Sequence, residues 1–234
     1  MERIVGLILL LTMALLGTAC ASAPTPTATA VPTTVPQPTA TVAPTPADAL
    51  PAPSSDVVRL VIVPDKSEAR YRVREQLANL SFPSDAVGST NAITGTIVGK
   101  TDGTIVSDQS KFQVDLRTLK SDQAMRDGFI SRSTLQINQY PYAIFVPTSA
   151  PGLPLTLPAD GKVAFKLIGN LTIRDVTKPV TWDVQGTVNG NTAAGTATTS
   201  FTFEYFDLTR PNVARVLSID DNIKLELDWT LQRQ

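Results

Sequence analysis

From residue 56 onward the chain alternates apolar and polar positions with a period of two, in runs separated by turn residues. Residues 110–116 (SKFQVDL) place Phe112, Val114 and Leu116 on one face, against Lys111, Gln113 and Asp115 on the other. Residues 163–173 (VAFKLIGNLTI) gather Val163, Phe165, Leu167, Leu171 and Ile173. Residues 223–231 (IKLELDWTL) set Ile223, Leu225, Leu227, Trp229 and Leu231 against Lys224, Glu226, Asp228 and Thr230. Ala69, Tyr71 and Val73 alternate with Arg70, Arg72 and Arg74, and residues 198–205 continue the pattern through Phe201 and Phe203. Such alternation predicts antiparallel strands with one face in water. About eight strands follow at hairpin spacing. Several run to about ten residues, beyond the usual ~5–6. Long strands in a chain of this size predict an all-β, antiparallel up-and-down barrel with an interior volume. The same phenylalanines would also serve as the core of a filled sandwich.

One segment departs from period two. Residues 121–131 (SDQAMRDGFIS) predict a helix of about two turns, with Ser121 or Asp122 as N-cap and Gly128 limiting its length. Met125 and Phe129 lie four apart on one face. A short helix between barrel strands closes one end, with both side chains expected to point inward.

Residues 171–184 (LTIRDVTKPVTWDV) read as the centre of a hairpin whose two-residue turn is Arg174 and Asp175. Such turns need a positive φ, which Asp175 is expected to supply. The register then sets Ile173 opposite Val176, Leu171 opposite Lys178, Gly169 opposite Val180, Leu167 opposite Trp182 and Phe165 opposite Val184. Lys178 is the polar residue on an otherwise apolar inward face, one pair from the rim. It is the candidate to meet a ligand head group. Snorkelling of its ammonium, or a bulge at Pro179, would instead carry it away from the interior. The candidate cavity wall is Phe112, Val114, Leu116, Met125, Phe129, Phe145, Phe165, Leu167, Leu171, Trp182, Phe201 and Phe203.

Composition divides the 234 residues into three parts. Residues 1–20 read as an export leader. Their apolar run, 4–16, falls short of the roughly 20 residues needed to span a bilayer. Gly17, Thr18 and Ala19 are small residues at a cleavage position, followed by Cys20, the only cysteine. Residues 21–55 are almost entirely Pro, Thr, Ala and Val. That composition cannot bury enough surface to fold. It predicts an extended linker rising about 3.1 Å per residue where polyproline II forms, and its Thr and Pro content suits O-glycosylation. Residues 56–234 form the barrel domain.

Charge and chemistry narrow the function. The net charge is −1 with no basic stripe, which argues against nucleic acid as a partner. The chain has no histidine, so it lacks the commonest general base and zinc ligand. It carries no nucleophile-elbow or phosphate-loop motif. Carboxylates occur singly along the strands, though two could still meet in space. The expectation is a binding protein, not an enzyme, with no cofactor.

Two resemblances sharpen this. LLGTAC, ending at Cys20, resembles the bacterial lipoprotein signal, in which the cysteine becomes the lipid-modified first residue. It implies export and a membrane anchor, through lipidated Cys20, on the outer face of a bacterial membrane. The hairpin 171–184 and the stretch 126–145 (RDGFISRSTLQINQYPYAIF) are similar to two motifs of the YceI-like family of exported lipid-binding proteins. Arg126, Asp127, Tyr140, Pro141 and Phe145 match the second motif, and Asp65 and Ser67 match the start of the first strands. The resemblance covers about 63–231. It implies a lipocalin-like barrel whose apolar cavity holds a polyisoprenoid chain, such as a quinone or prenyl tail. Binding, transport or storage of that lipid is the function implied. A filled-barrel structural or protein-interaction domain of the cell envelope is the alternative. The residues leave the oligomeric state open, a dimer included.

Overall fold

The alternating runs form strands that pair with their sequence neighbours. The computed structural model describes residues 57–153, 160–212 and 216–234. The expected leader (1–20, with Cys20) and linker (21–55) lie outside them. The strands are β1 (Val57–Ile62), β2 (Glu68–Leu77), β3 (Ser84–Thr90), β4 (Ile93–Lys100), β5 (Lys111–Asp115) and β6 (Lys120–Ser121). After helix α1 (Ala124–Phe129) come β7 (Tyr142–Ser149), β8 (Asp160–Ile173), β9 (Val176–Asn189), β10 (Thr192–Phe201) and β11 (Val216–Arg233). All pairings between them are antiparallel.

Eight strands close a ring in the order β1-β4-β5-β7-β8-β9-β10-β11. Closure rests on Leu60–Ile62 against Leu231–Arg233. The fold is therefore the expected antiparallel barrel, with β2, β3 and β6 extending the sheet along the far part of β11. β1 and β2 behave as two halves of one kinked stave. A 3-10 turn, Pro64–Lys66, separates them, and Pro64 occupies the start of a turn, where its missing N–H costs nothing. β11 is long enough to pair with β2 over Val216 to Asp228 and with β1 near its end. The kink is stitched to β11: Val63 N–H donates to the Thr230 carbonyl (2.8 Å), Thr230 N–H donates to Ser67 Oγ (3.0 Å), and Thr230 Oγ1 donates to the Lys66 carbonyl (3.0 Å).

The β8–β9 hairpin has the register read from the sequence, pair for pair from Ile173–Val176 to Phe165–Val184. The positive φ falls on Arg174 (57°), not on Asp175. Arg174 is held there by its Nη1, which donates to the Asp207 carbonyl at 3.3 Å. No bulge interrupts β8–β9 at Pro179, which pairs with Asn170. Pro179 is tolerated because β10 covers the other edge of β9 only from Asp183 to Asn189. Beyond that limit the Tyr205 hydroxyl donates to the Pro179 carbonyl (2.8 Å).

Three elements end differently from their periodicity. Leu116 begins a 3-10 turn (Leu116–Thr118), where the Asp115 carboxylate accepts from the Arg117 N–H. β10 stops at Phe201, and Phe203 precedes another 3-10 turn, Glu204–Phe206, that buries Phe206 completely. The helix is one α-helical stretch over Ala124–Phe129, extended by a π-helical turn, Ile130–Thr134. Ser121 does not cap it. Gln123 occupies that position without a side-chain bond, and Ser121 Oγ donates to Asp127 Oδ1 (2.6 Å).

On the wet face of β2 and β11 the arginines meet carboxylates across the ladder. Arg70 pairs with Asp228 (2.6 Å) and Glu68, while Arg72 and Lys224 both reach Glu226 (3.1 and 2.8 Å). Hydrogen bonds from Arg72 and then Lys224 hold the Glu226 carboxyl down at about 2. The carboxylates gathered there are thus engaged by cations of the outer surface, although Glu226 also borders the interior.

Candidate functional site

The inward faces of the strands enclose a cavity of about 690 Å³. This lies within the ~300–1,000 Å³ typical of small-molecule sites. Its wall reaches from the β9–β10 turn (Gly190, Asn191) to the helix and the start of β11 (Met125, Val216), so it runs the length of the barrel. The side chains of the described residues leave the barrel unfilled.

The reason lies in where the large rings rest. Four inward rings, those of Tyr71, Phe112, Phe145 and Trp229, each lie over a glycine of another strand. A Cβ at Gly95 would come within 2.4 Å of the Phe112 ring, at Gly169 within 2.7 Å of Phe145, and at Gly186 within 2.6 Å of Trp229. At Gly88 it would meet the Tyr71 ring at 2.2 Å. The missing side chains let the rings lie down against the sheet. A larger residue at any of these positions would push its ring into the lumen. Phe145 and Trp182 then meet edge to face, 6.0 Å between centroids.

All twelve residues expected to form the wall border the cavity. Phe112 and Val114 project from β5, Leu116 from the turn after it, and Phe145 from β7. Phe165, Leu167 and Leu171 line it from β8, Trp182 from β9, Phe201 from the end of β10, and Phe203 from the start of the turn that follows. Phe129 borders it from the helix. Met125 also borders it but is not enclosed as expected: it is 67% exposed, whereas Phe129 one turn on is half-buried.

Lys178 is corrected more sharply. It keeps the inward phase of β9 but is not part of the cavity wall. The 3-10 turn Glu204–Phe206 lies across that stretch of β9, and the Lys178 ammonium sits over the Tyr205 ring, 5.8 Å from its centroid. Its charge is taken up by an aromatic face at the rim.

The polar groups of the cavity are elsewhere. Glu75 follows Tyr71 and Val73 in the inward phase of β2 and is 5% exposed. Arg126, from the helix, donates through Nη2 to Glu75 Oε1 at 2.5 Å and through Nη1 to Asp122 Oδ1 at 2.5 Å. Glu75, Arg126, Gln123 and Tyr71 all border the same end of the cavity. The period-two pattern would have found Glu75, since it continues the run Ala69, Tyr71, Val73. Nothing local in the sequence points to its partner 51 positions away.

Four buried side-chain polar atoms among the described residues lack a hydrogen-bond partner, and three belong to the cavity wall: Tyr71 Oη, Trp182 Nε1 and Trp229 Nε1. Burial pushes the Tyr71 hydroxyl up to about 12, so it remains an O–H at neutral pH.

A family model described as the YceI-like domain matches residues 60–231. Among solved structures, a polyisoprenoid-binding domain from Saccharophagus degradans, implicated in plant cell wall breakdown, superposes with a TM-score of 0.58. It shares 10% identity, over 75% of this chain and 98% of that one. BcnA from Burkholderia cenocepacia superposes with a TM-score of 0.51 at 14% identity, over 72% of this chain and 98% of its own. At such identities the likeness is one of fold. No curated protein matches the chain.

Proposed function

The chain belongs to the YceI-like family, and on that premise we propose that its barrel binds a polyisoprenoid or similar apolar lipid and carries or stores it without chemical change. The observation that carries the proposal is the lumen itself: about 690 Å³ walled by aromatic and aliphatic side chains from every strand of the ring. Each methylene moved from water into such a wall contributes about 0.8 kcal/mol. A tail of several isoprene units therefore needs few polar contacts to be held. The polyisoprenoid-binding description of the Saccharophagus degradans domain supports the same ligand class. The proposal extends to location. The segment LLGTAC supports export and lipidation at Cys20, and the Pro/Thr-rich 21–55 supports a spacer between membrane and barrel.

The chain holds two tryptophans, and both line the cavity. Their emission therefore reports the lumen alone. A prenylated benzoquinone, which quenches indole fluorescence on contact, is expected to quench both Trp182 and Trp229 saturably, with displacement by farnesol. Linear, non-saturating quenching that farnesol does not reverse would count against the proposal.

A further inference from the structure

Of the six large apolar side chains that stand exposed among the described residues, five belong to the helix end of the barrel. Leu80 and Phe82 sit in the loop between β2 and β3, Leu217 at the start of β11, and Met125 on the helix. Tyr205, whose hydroxyl donates to the Pro179 carbonyl near the β8–β9 turn, is the fifth. Strand pairing brings the first four to one rim. Leu77 faces Val216 across β2–β11, and the Leu80 N–H donates to the Leu77 carbonyl (3.1 Å). Phe82 follows two positions along the same loop, and Arg126 ties the helix to Glu75 on β2. The same stretches line the cavity, through Leu77, Asn79, Met125 and Val216. The exposed set is therefore a collar on the mouth of the lumen, not a scatter of surface residues.

Resting on the lipid-binding reading above, we propose that this collar docks on a lipid bilayer, so that the apolar ligand passes between membrane and lumen without crossing water. Phe82 is 80% exposed and forgoes nearly all the stabilisation its burial would bring. Apolar side chains clustered in this way mark a surface that meets something apolar. The ligand decides what that is. A long isoprenoid resides in bilayers, because every methylene in water is costly. The mouth that admits it is the mouth the collar surrounds. The chain outside the described residues allows the contact. β1 begins at Val57, which lies beyond the Leu60–Arg233 pair at the end opposite the collar. The 18 residues of β11 span roughly 60 Å at the usual strand rise. The Pro/Thr-rich residues between Cys20 and Val57 reach on the order of 100 Å when extended. A chain anchored at Cys20, as proposed above, can therefore lay the far end of its barrel on the membrane that holds it.

Uptake of a prenylated benzoquinone from phosphatidylcholine vesicles, followed by stopped-flow quenching of Trp182 and Trp229, tests the docking. These vesicles carry no net charge, so apolar contact alone is read. Phe82→Ser combined with Leu217→Ser, in the full chain, removes two collar residues that do not border the cavity. The tether is the same in parent and variant. The variant should take up the quinone from vesicles about tenfold or more slowly, since two apolar side chains no longer enter the bilayer. Quinone delivered from cyclodextrin should quench it with the parent's amplitude and with a midpoint within about twofold, as for other surface substitutions. Equal uptake rates from vesicles overturn membrane docking and leave lipid binding intact. A cyclodextrin titration that weakens along with the rate also overturns it, because the two side chains would then belong to the binding site. A parent chain that neither source can quench overturns the lipid-binding reading and this proposal together.

Discussion

Arg126→Ala is expected to destabilise the barrel by about 3 kcal/mol, the lower end of the range for removing one partner of a buried ion pair. The Arg126 side chain is 12% exposed and that of Glu75 6%. Without the guanidinium the Glu75 carboxylate stays in an apolar lumen with no opposite charge. For a domain of this size the loss corresponds to a fall in Tm of roughly 10 °C by calorimetry. The second half of the prediction isolates the cause. Adding Glu75→Leu to Arg126→Ala should recover most of the loss, because a well-packed apolar residue there leaves no charge to solvate. A double variant as unstable as Arg126→Ala alone would mean that the helix, not the buried charge, is what the arginine supports.

Gly195→Val should be at least as damaging, at about 3 kcal/mol or more. Gly195 pairs with Gly186 across β9–β10 and with Trp229 across β10–β11. A Cβ at residue 195 would lie 2.0 Å from the Gln185 carbonyl oxygen and 2.5 Å from the Gly186 Cα. Both are backbone atoms of a paired strand and cannot swing aside. Either the ladder parts or Trp229 loses its bed. Gly99→Ala is the matched control. It is also a strand glycine, but the nearest atom to its Cβ would be the Thr104 carbonyl at 3.8 Å. That variant should stay within about 0.5 kcal/mol of the parent. Equal losses in the two would show that strand glycine itself, and not close approach, sets the cost.

The alternation carried most of the fold. In β8 and β9 it fixed the register, because the two-residue turn sets the inward Phe165, Leu167 and Ile173 opposite the apolar Val184, Trp182 and Val176, with Lys178 opposite Leu171 as the exception. It also identified the wall residues, since period two separates a buried face from a wet one wherever a strand is regular. It failed where a strand meets an irregular neighbour. Lys178 shares the inward phase, but the turn Glu204–Phe206 occupies the space in front of it, and that turn has no periodic signature. The turn's positive φ fell on Arg174, whose hold on the Asp207 carbonyl is a contact across 33 positions. The polar end of the cavity was half legible: Glu75 stands in phase on β2, while Arg126 reaches it from a helix whose placement depends on the whole barrel. The glycines that hold the lumen open, Gly88, Gly169 and Gly186 among them, read in sequence only as weak strand positions. Their meaning comes from the ring that rests over each of them.

The central claim is that the lumen holds an apolar lipid, and native mass spectrometry of the full chain, taken before and after organic extraction, tests it most directly. The account predicts a noncovalent adduct on the purified chain that extraction removes, that fragments as an isoprenoid, and that returns on incubation with isoprenoid lipid. A chain that carries only its own mass as purified, and takes up no isoprenoid lipid afterwards, would contradict it.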